Sequence, residues 1–282
     1  MISVPYLAPP GFEPACVPVP AALPSPAVWV LFHRGDVVLV RHGEDAALLD
    51  DPARHGLAVT DVHGLGSLDG VPAFCGVVSS SEVLPEGVRA EGLRGVFALL
   101  SPQAQAMAAY GAQVRHWDRT TRFCGECGSP TAPSEDATRR AKRCVACGHE
   151  WFPRVSPCTI TLVHDGDRAL LTRQAAWPAG RYGLVAGFVE PGESLEDCVR
   201  REALEETGVT LTDIAYAGSQ PWPFPHQIMV GFTARWVGGE ARPRDGELED
   251  ARWFTRDAMP ILPPRFSIAR RLLDAWRAAT AG

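Results

Sequence analysis

The sequence predicts an α+β protein of two sheet-and-helix units with a cysteine module between them. Three observations carry that expectation. The chain has 282 residues, too long for one minimal domain and suited to two modest ones. Short β-type apolar runs and helical periods recur on both sides of residue 120. Between them, four of the eight cysteines, Cys124, Cys127, Cys144 and Cys147, read C-x2-C-x16-C-x2-C.

Composition narrows the class. An apolar fraction of 46% against 21% charged residues excludes wholesale disorder and fibrous architectures. No apolar run approaches the roughly 18 residues that span a bilayer. The first 33 residues hold no Lys or Arg, so the basic start of a secretory signal is missing. The expectation is a cytoplasmic protein without a membrane partner. A net charge of −6 argues against broad electrostatic binding of nucleic acid, and an anionic ligand would need a local device to offset it.

In chain order, residues 1–26 are rich in Pro and Ala without a period and predict an irregular lead-in. Strands are expected at 28–32, 37–41, 74–78 and 95–100, with a turn at His33-Arg34-Gly35-Asp36. Ser101 suits the N-cap of a helix reaching about residue 117. Beyond the cysteines, strands are expected at 159–163, 169–172, 183–186, 212–219, 228–237 and 251–254, and helices at 195–207 and from 267 to about 279. The expected domains are 1–121, 122–150 and 151–282.

The run Leu31-Phe32-His33-Arg34-Gly35-Asp36-Val37-Val38-Leu39 aligns without gaps on residues 162–170, with five of nine positions identical. Two readings stay open: two hairpins with similar turn chemistry, or a duplication whose first copy, the 1–121 domain, lost its active site. The Gly/Glu-rich segment described below has no counterpart after Leu39.

Two CxxC knuckles present four thiolates in the arrangement that tetrahedral Zn²⁺ takes, with Zn–S near 2.3 Å. Gly125, Gly128 and Gly148 lie where tight turns must aim amides at sulfur. A redox dithiol explains one CxxC and not two. Four protein ligands leave no open position, so the zinc is structural, one per chain. Cys16, Cys75, Cys158 and Cys198 are scattered, mostly in apolar segments, and read as buried thiols of a reducing compartment. Arg139, Arg140, Lys142, the one lysine, and Arg143 read as a solvated loop face.

The densest chemistry lies at 187–209. Ser194 and Asp197 stand three apart like an N-cap and its return partner, and Gly208 suits the residue after a helix. At about 100° per residue, Glu202 and Glu206 fall within about 20° of Leu195, on the stripe that faces inward, with Glu205 beside them. Unpaired buried carboxylates cost several kcal/mol each, and like charges at i,i+4 repel. Cations between them resolve the conflict, and carboxylate oxygens suit Mg²⁺ or Mn²⁺.

These residues resemble the Nudix box, G-x5-E-x7-R-E-U-x-E-E-x-G-U, at every fixed position: Gly187, Glu193, Arg201, Glu202, Glu205, Glu206 and Gly208, with Ala203 and Val209 at the apolar ones. Ser219-Gln220-Pro221-Trp222-Pro223-Phe224-Pro225 is similar to the signature of NADH pyrophosphatases within that family, as are the cysteine module and the Pro153-Arg154 pair. The resemblance implies a Nudix α/β/α sandwich preceded by a zinc ribbon and a smaller N-terminal α+β domain. It implies metal ligands Glu202, Glu206, Glu247 and the carbonyl of Ala186, with Glu193 paired to Arg201. It also implies that Phe152 and Phe188 stack on bases, that Gln220, Pro221, Trp222, Pro223, Phe224, Pro225, His226 and Gln227 line the dinucleotide site and the interface of a homodimer, that Ala269 touches substrate, and that Arg94 touches phosphate. Gln227 departs from the Ser usual in the family.

The activity so implied is Mg²⁺- or Mn²⁺-dependent hydrolysis of NAD(H) to AMP and nicotinamide mononucleotide, with Glu205 or a neighbour as base. Removal of an NAD cap from RNA uses the same bond and site. A nucleotide-sensing regulator on an inactive Nudix domain is the non-enzymatic alternative, which the intact glutamates oppose.

Overall fold

A computed structural model describes residue 2 and residues 8–42, 45–81, 83–136, 138–244 and 246–279. The chain divides into two compact units, one of 8–154 with Pro223–His226, the other of 155–222 with 227–279 and Ile2.

The first unit holds β1 (Phe12–Pro14), β2 (Val28–His33), β3 (Asp36–His42), β4 (Asp45–Ala47), β5 (Val59–Leu68), β6 (Val71–Val78), β7 (Val88–Glu91), α1 (Leu93–Leu99) and α2 (Pro102–Thr120). The sheet runs β1-β5-β6-β2-β3-β4, with β7 also on β3. Parity along β2 fills both faces. Val30 and Phe32 pack with Val96, Met107 and Val114 of the helices, while Trp29 and Leu31 join Leu49 and Phe74 on the other side. Ser101 caps α2 by accepting from Ala104 N–H.

Four expectations change here. The apolar run at 95–100 is helical, not a strand: Val96 is its inward residue, and Leu93 and Leu100 flank it at helical rather than alternate spacing. The lead-in contains a short strand, because β1 pairs with β5. Strand β5 escaped prediction since Gly64 and Gly66 interrupt its pattern. Those glycines admit a second backbone, as a Cβ at Gly66 would sit 2.1 Å from Glu13 O and one at Gly64 2.4 Å from Val17 O. The basic run is only partly solvated. Lys142 is buried against Asp118 at 2.7 Å, and Arg140 donates to the carbonyls of Ala15 and Gly64.

The ribbon follows, with β8 (Thr131–Pro133), β9 (Lys142–Cys144) and β10 (Glu150–Trp151) in the order β10-β9-β8. Gly128 and Gly148 take left-handed φ of 73° and 76° at the ends of the two knuckles.

The second unit contains β11 (Ser156–His164), β12 (Arg168–Arg173), β13 (Val185–Phe188), α3 (Leu195–Thr207), β14 (Thr210–Trp222), β15 (Gln227–Gly238), β16 (Asp250–Thr255) and α4 (Ile268–Ala278). Cys158, Ile160 and Leu162 of β11 pack with Leu272, Leu273 and Trp276 of α4. On the opposite parity, Val163 packs with Ala203 of α3. The sheet is therefore sandwiched between α3 and α4. Among the described residues, no helix is long and apolar enough to cross a membrane.

The two sheets share one topology. β5-β6-β2-β3-β7 and β14-β15-β11-β12-β16 run in the same order, each with one parallel pair, β6 on β2 and β15 on β11. The repeated run itself is not in equivalent register. His33 pairs with Asp36 around a two-residue turn, whereas His164 pairs with Ala169 around four residues. The aligned run falls on equivalent hairpins of the two sheets, β2–β3 and β11–β12, around turns of different length, and the likeness of the two units extends to strand order.

Candidate active site

Helix α3 begins where its sequence says it should. Ser194 Oγ accepts from Asp197 N–H at 3.1 Å and donates to the Asp197 carboxylate at 2.7 Å. Gly208 ends the helix with φ 76°, its N–H reaching Leu204 O. Cys198, Val199 and Ala203 fix the buried stripe, and that stripe carries Glu206 inward to 4% exposure. Glu205 projects outward at 54%.

Arg201 organises the acidic face. Its Nε and one terminal nitrogen grip both oxygens of Glu193 at 2.5 and 2.9 Å, and the other nitrogen reaches Glu202 at 2.8 Å and Glu205 at 2.9 Å. The same guanidinium donates to Phe188 O. These hydrogen bonds hold the Glu193 carboxyl down at about 2. Glu202 moves the other way, raised chiefly by burial; Arg201 opposes this and the charges of Glu205 and Glu247 add to it. Gly187 makes the fit possible, because a Cβ there would lie 1.9 Å from the carboxyl carbon of Glu202.

Glu206 faces a cavity of about 200 Å³ in the catalytic unit. Ala186, Trp222 and Ala269 line it, together with Ile160, Met229 and Trp177. Four expected site residues therefore converge. The other expected residues divide. Gln220 is consumed by structure, donating to Phe266 O and accepting from Ile268 N–H, so that its amide pins the start of α4. Gln227 pairs with Trp222 across the β14–β15 hairpin, and Pro221 pairs with Ile228. Phe188 is exposed. Pro223, Phe224, Pro225 and His226 belong to the other unit, as do Phe152 and Arg94. There Arg94 lies over the Phe224 ring at 4.1 Å and His226 meets His116 at 5.2 Å.

Trp177 is a lining residue that the sequence did not single out. Its ring lies on Gly183, where a Cβ would come within 2.8 Å. An isolated glycine in an expected strand was the available signal of a close approach.

The donors present fit a hard divalent cation: Glu202, Glu206 and Glu247 offer carboxylate oxygens and Ala186 a carbonyl, with Gly187 leaving the room. The three carboxylates do not converge as closely as expected. Among the described residues, only the four ribbon thiols form a group of ligand atoms within 4.8 Å of one another, since Arg201 draws Glu202 and Glu205 aside. The ribbon sulfurs fit zinc: Cys124 and Cys147 lie 3.7 Å apart and Cys127 and Cys144 3.4 Å apart, against an edge of about 3.8 Å for a ZnS₄ tetrahedron.

Comparison with known proteins agrees with this construction. Residues 153–276 match the NUDIX domain model, 119–152 the NADH pyrophosphatase zinc ribbon domain, and 26–117 the NADH pyrophosphatase-like rudimentary NUDIX domain. A protein of Stutzerimonas stutzeri named NAD-capped RNA hydrolase NudC is 41% identical over 268 residues, 93% of this chain and 95% of its own length. Proteins of the same name from Pseudomonas syringae pv. tomato and Pseudomonas fluorescens are 45% and 42% identical, covering 80% and 86% of this chain and 80% and 90% of their own. Sandwich, acidic helix and ribbon together define a metal-dependent hydrolase with a structural zinc. The chain belongs to the Nudix hydrolase family, in its zinc-ribbon, NADH pyrophosphatase-like branch.

Proposed function

We propose that the protein hydrolyses the diphosphate bond of NAD(H), releasing AMP and nicotinamide mononucleotide. The observation that carries the reading is Glu206, a buried carboxylate at the wall of an aromatic cavity shared with Ala186, Trp222 and Ala269. The catalytic domain is 151–282, the ribbon 122–150, and the N-terminal domain a copy of the same topology without the acidic helix.

Glu202, Glu206, Glu247 and the Ala186 carbonyl would hold Mg²⁺ or Mn²⁺, which when bound offsets phosphate charge and acidifies water. The chain's own residues do the rest. Trp222 and Met229 give a ring-bearing ligand an apolar wall, and Arg201 fixes Glu193 and Glu202 so that the acidic face keeps its shape. Water oxygen adds to one phosphorus, the bridging P–O bond breaks, and the bridging oxygen leaves on the other phosphate. The water proton passes to a carboxylate, Glu205 or a neighbour.

The names of the relatives support a second reading, in which the same bond is cut in an NAD cap on RNA. A cytoplasmic homodimer suits both. The test is a panel of NADH, NAD⁺, ADP-ribose, diadenosine polyphosphates and NAD-capped RNA at fixed Mg²⁺ in H₂¹⁸O, scored by kcat/KM and product mass. Turnover confined to substrates without a nicotinamide would refute the proposal, and no turnover of any would favour the regulator.

A further inference from the structure

Strand β12 buries Ala169 to Thr172 and then ends on an arginine. The Arg173 side chain is only 12% exposed, so its guanidinium must be served by acceptors or it would destabilise the fold. Three acceptors serve it. One terminal nitrogen pairs with the Glu249 carboxylate and also donates to Gln174 O at 3.3 Å, while the other donates to Trp177 O at 2.9 Å. Gln174 O also accepts from Trp177 N–H, which closes residues 174–177 into a turn whose two end carbonyls Arg173 therefore grips together.

The two segments joined in this way both build the cavity beside Glu206. The turn brings Gln174 and Trp177 to it, and the segment before β16 brings Leu248 and carries Glu247, whose charge acts on Glu202. The β12–β16 ladder reaches Arg173 and Asp250, and one further bond runs from Glu249 N–H to Arg173 O. There the ladder stops, and the guanidinium takes over the tie. The far half of the β12–β13 loop has backbone anchors of its own, since Tyr182 N–H donates to Ile261 O and Ile261 N–H to Gly180 O. The near half is held by the Arg173 guanidinium, with the Trp177 ring resting on Gly183.

We propose that Arg173 is a positioning residue: one arm holds the Trp177 turn and the other, through Glu249, holds the segment of Glu247, so that a single side chain sets the ring wall of the cavity and a metal-ligand segment. A planar fork serves a carboxylate and two carbonyls at fixed angles, which a lysine ammonium does not. The inference rests on the proposed hydrolase reading for the roles of Trp177 and Glu247, and its tests measure binding without turnover.

Two titrations of the full-length protein read the two arms. One follows NADH by its fluorescence anisotropy without added divalent cation, and the other follows Mn²⁺ by the electron paramagnetic resonance of the free ion, both at high salt to screen changes of charge. Arg173→Met should weaken both affinities, each by about three- to tenfold, the range of a lost hydrogen bond or two. The sign is diagnostic, because removing a cation beside a carboxylate site would by Coulomb attraction alone tighten Mn²⁺. Glu249→Ala cuts only the second arm and should weaken Mn²⁺ by a similar factor, with NADH within about twofold of wild type. Arg173→Lys keeps a charge for Glu249 and loses the fork, so Mn²⁺ affinity should return while NADH stays weakened. Arg168→Met removes an ion pair with Asp165 at the other end of β12 and should move neither constant, even where it lowers the melting temperature. In turnover at saturating Mg²⁺, the loss in Arg173→Met should appear in KM rather than kcat. Unchanged affinities in Arg173→Met would make the arginine merely structural and overturn the proposal, as would Glu249→Ala weakening NADH as much as Mn²⁺, or Arg173→Lys failing to restore Mn²⁺. Should Arg173→Met not fold, Arg173→Lys and Glu249→Ala decide by themselves. A wild type that binds both ligands and leaves NADH uncut would refute the hydrolase reading and leave this proposal to the binding constants.

Discussion

Glu206 occupies a position on α3 where packing calls for an apolar side chain, and the cavity beside it gives the reason. Glu206→Gln keeps the shape and removes the charge. We expect kcat to fall by a factor on the order of 100 or more while the melting temperature holds or rises, because a carboxylate is withdrawn from a repelling cluster. Steady-state kinetics at saturating Mg²⁺ with a thermal melt checks both, and activity within tenfold of wild type would make the helix merely structural. Gly183→Ala probes recognition separately. Its Cβ would meet the Trp177 ring at 2.8 Å, so the ring must move, at a cost of about 1–3 kcal/mol. KM for NADH should rise several-fold with kcat little changed; a fall in kcat alone would separate Trp177 from ligand binding. The glutamates were legible because helical phase is computable from sequence, whereas Trp177 became visible only once its turn lay against Gly183.

At the scale of elements, α3 was legible to the residue because both ends are written in local chemistry, Ser194 at one and Gly208 at the other. Ser194→Ala should cost about 1 kcal/mol, read as a lower denaturant midpoint, through the lost bond to Asp197 N–H. The ribbon was equally legible from four cysteines. Cys144→Ser should lower zinc content and melting temperature together, as folding and metal binding are coupled there. Metal analysis showing no zinc in a wild type of unchanged stability would contradict it. Elements lacking such marks were misread. The run at 95–100 is too short to show its period, and β5 is interrupted by the glycines that make room for the lead-in. Gln220 belongs here too: the motif drew attention to it, and its amide ends by fastening two elements together.

For the molecule as a whole, acid sensitivity has an identifiable origin in Asp118. Burial alone would raise its pKa, but hydrogen bonds from His63 and Lys142 outweigh that and bring it from 3.8 down to about 2. A folded-state value below the unfolded one means stability that is present above about pH 4 and lost as pH falls toward 2. The difference is worth roughly 2 kcal/mol. Lys142→Met should leave Asp118 buried without that partner and destabilise the protein at neutral pH, while shrinking the loss between pH 4 and 2. Denaturant melts at pH 7, 4 and 2.5 measure it, and an unchanged acid slope would remove Asp118 as the cause. The proposed homodimer is tested by sedimentation at micromolar concentration, where Trp222→Ala should shift the protein toward monomer; a fully active monomeric wild type would dismiss the dimer.

The sequence by itself determined the family, the acidic helix, the ribbon and the positions of the catalytic strands along the chain, because each is encoded by residues within one turn, one period or one fixed spacing. Only the tertiary structure decided what lies far apart in the chain. It turned Lys142 inward from an apparently solvated run, set Trp177 against Gly183, and joined Arg173 to Glu249. Net charge and local pattern carry no record of such meetings, since they are made by the packing of elements whose separation in sequence exceeds any local rule.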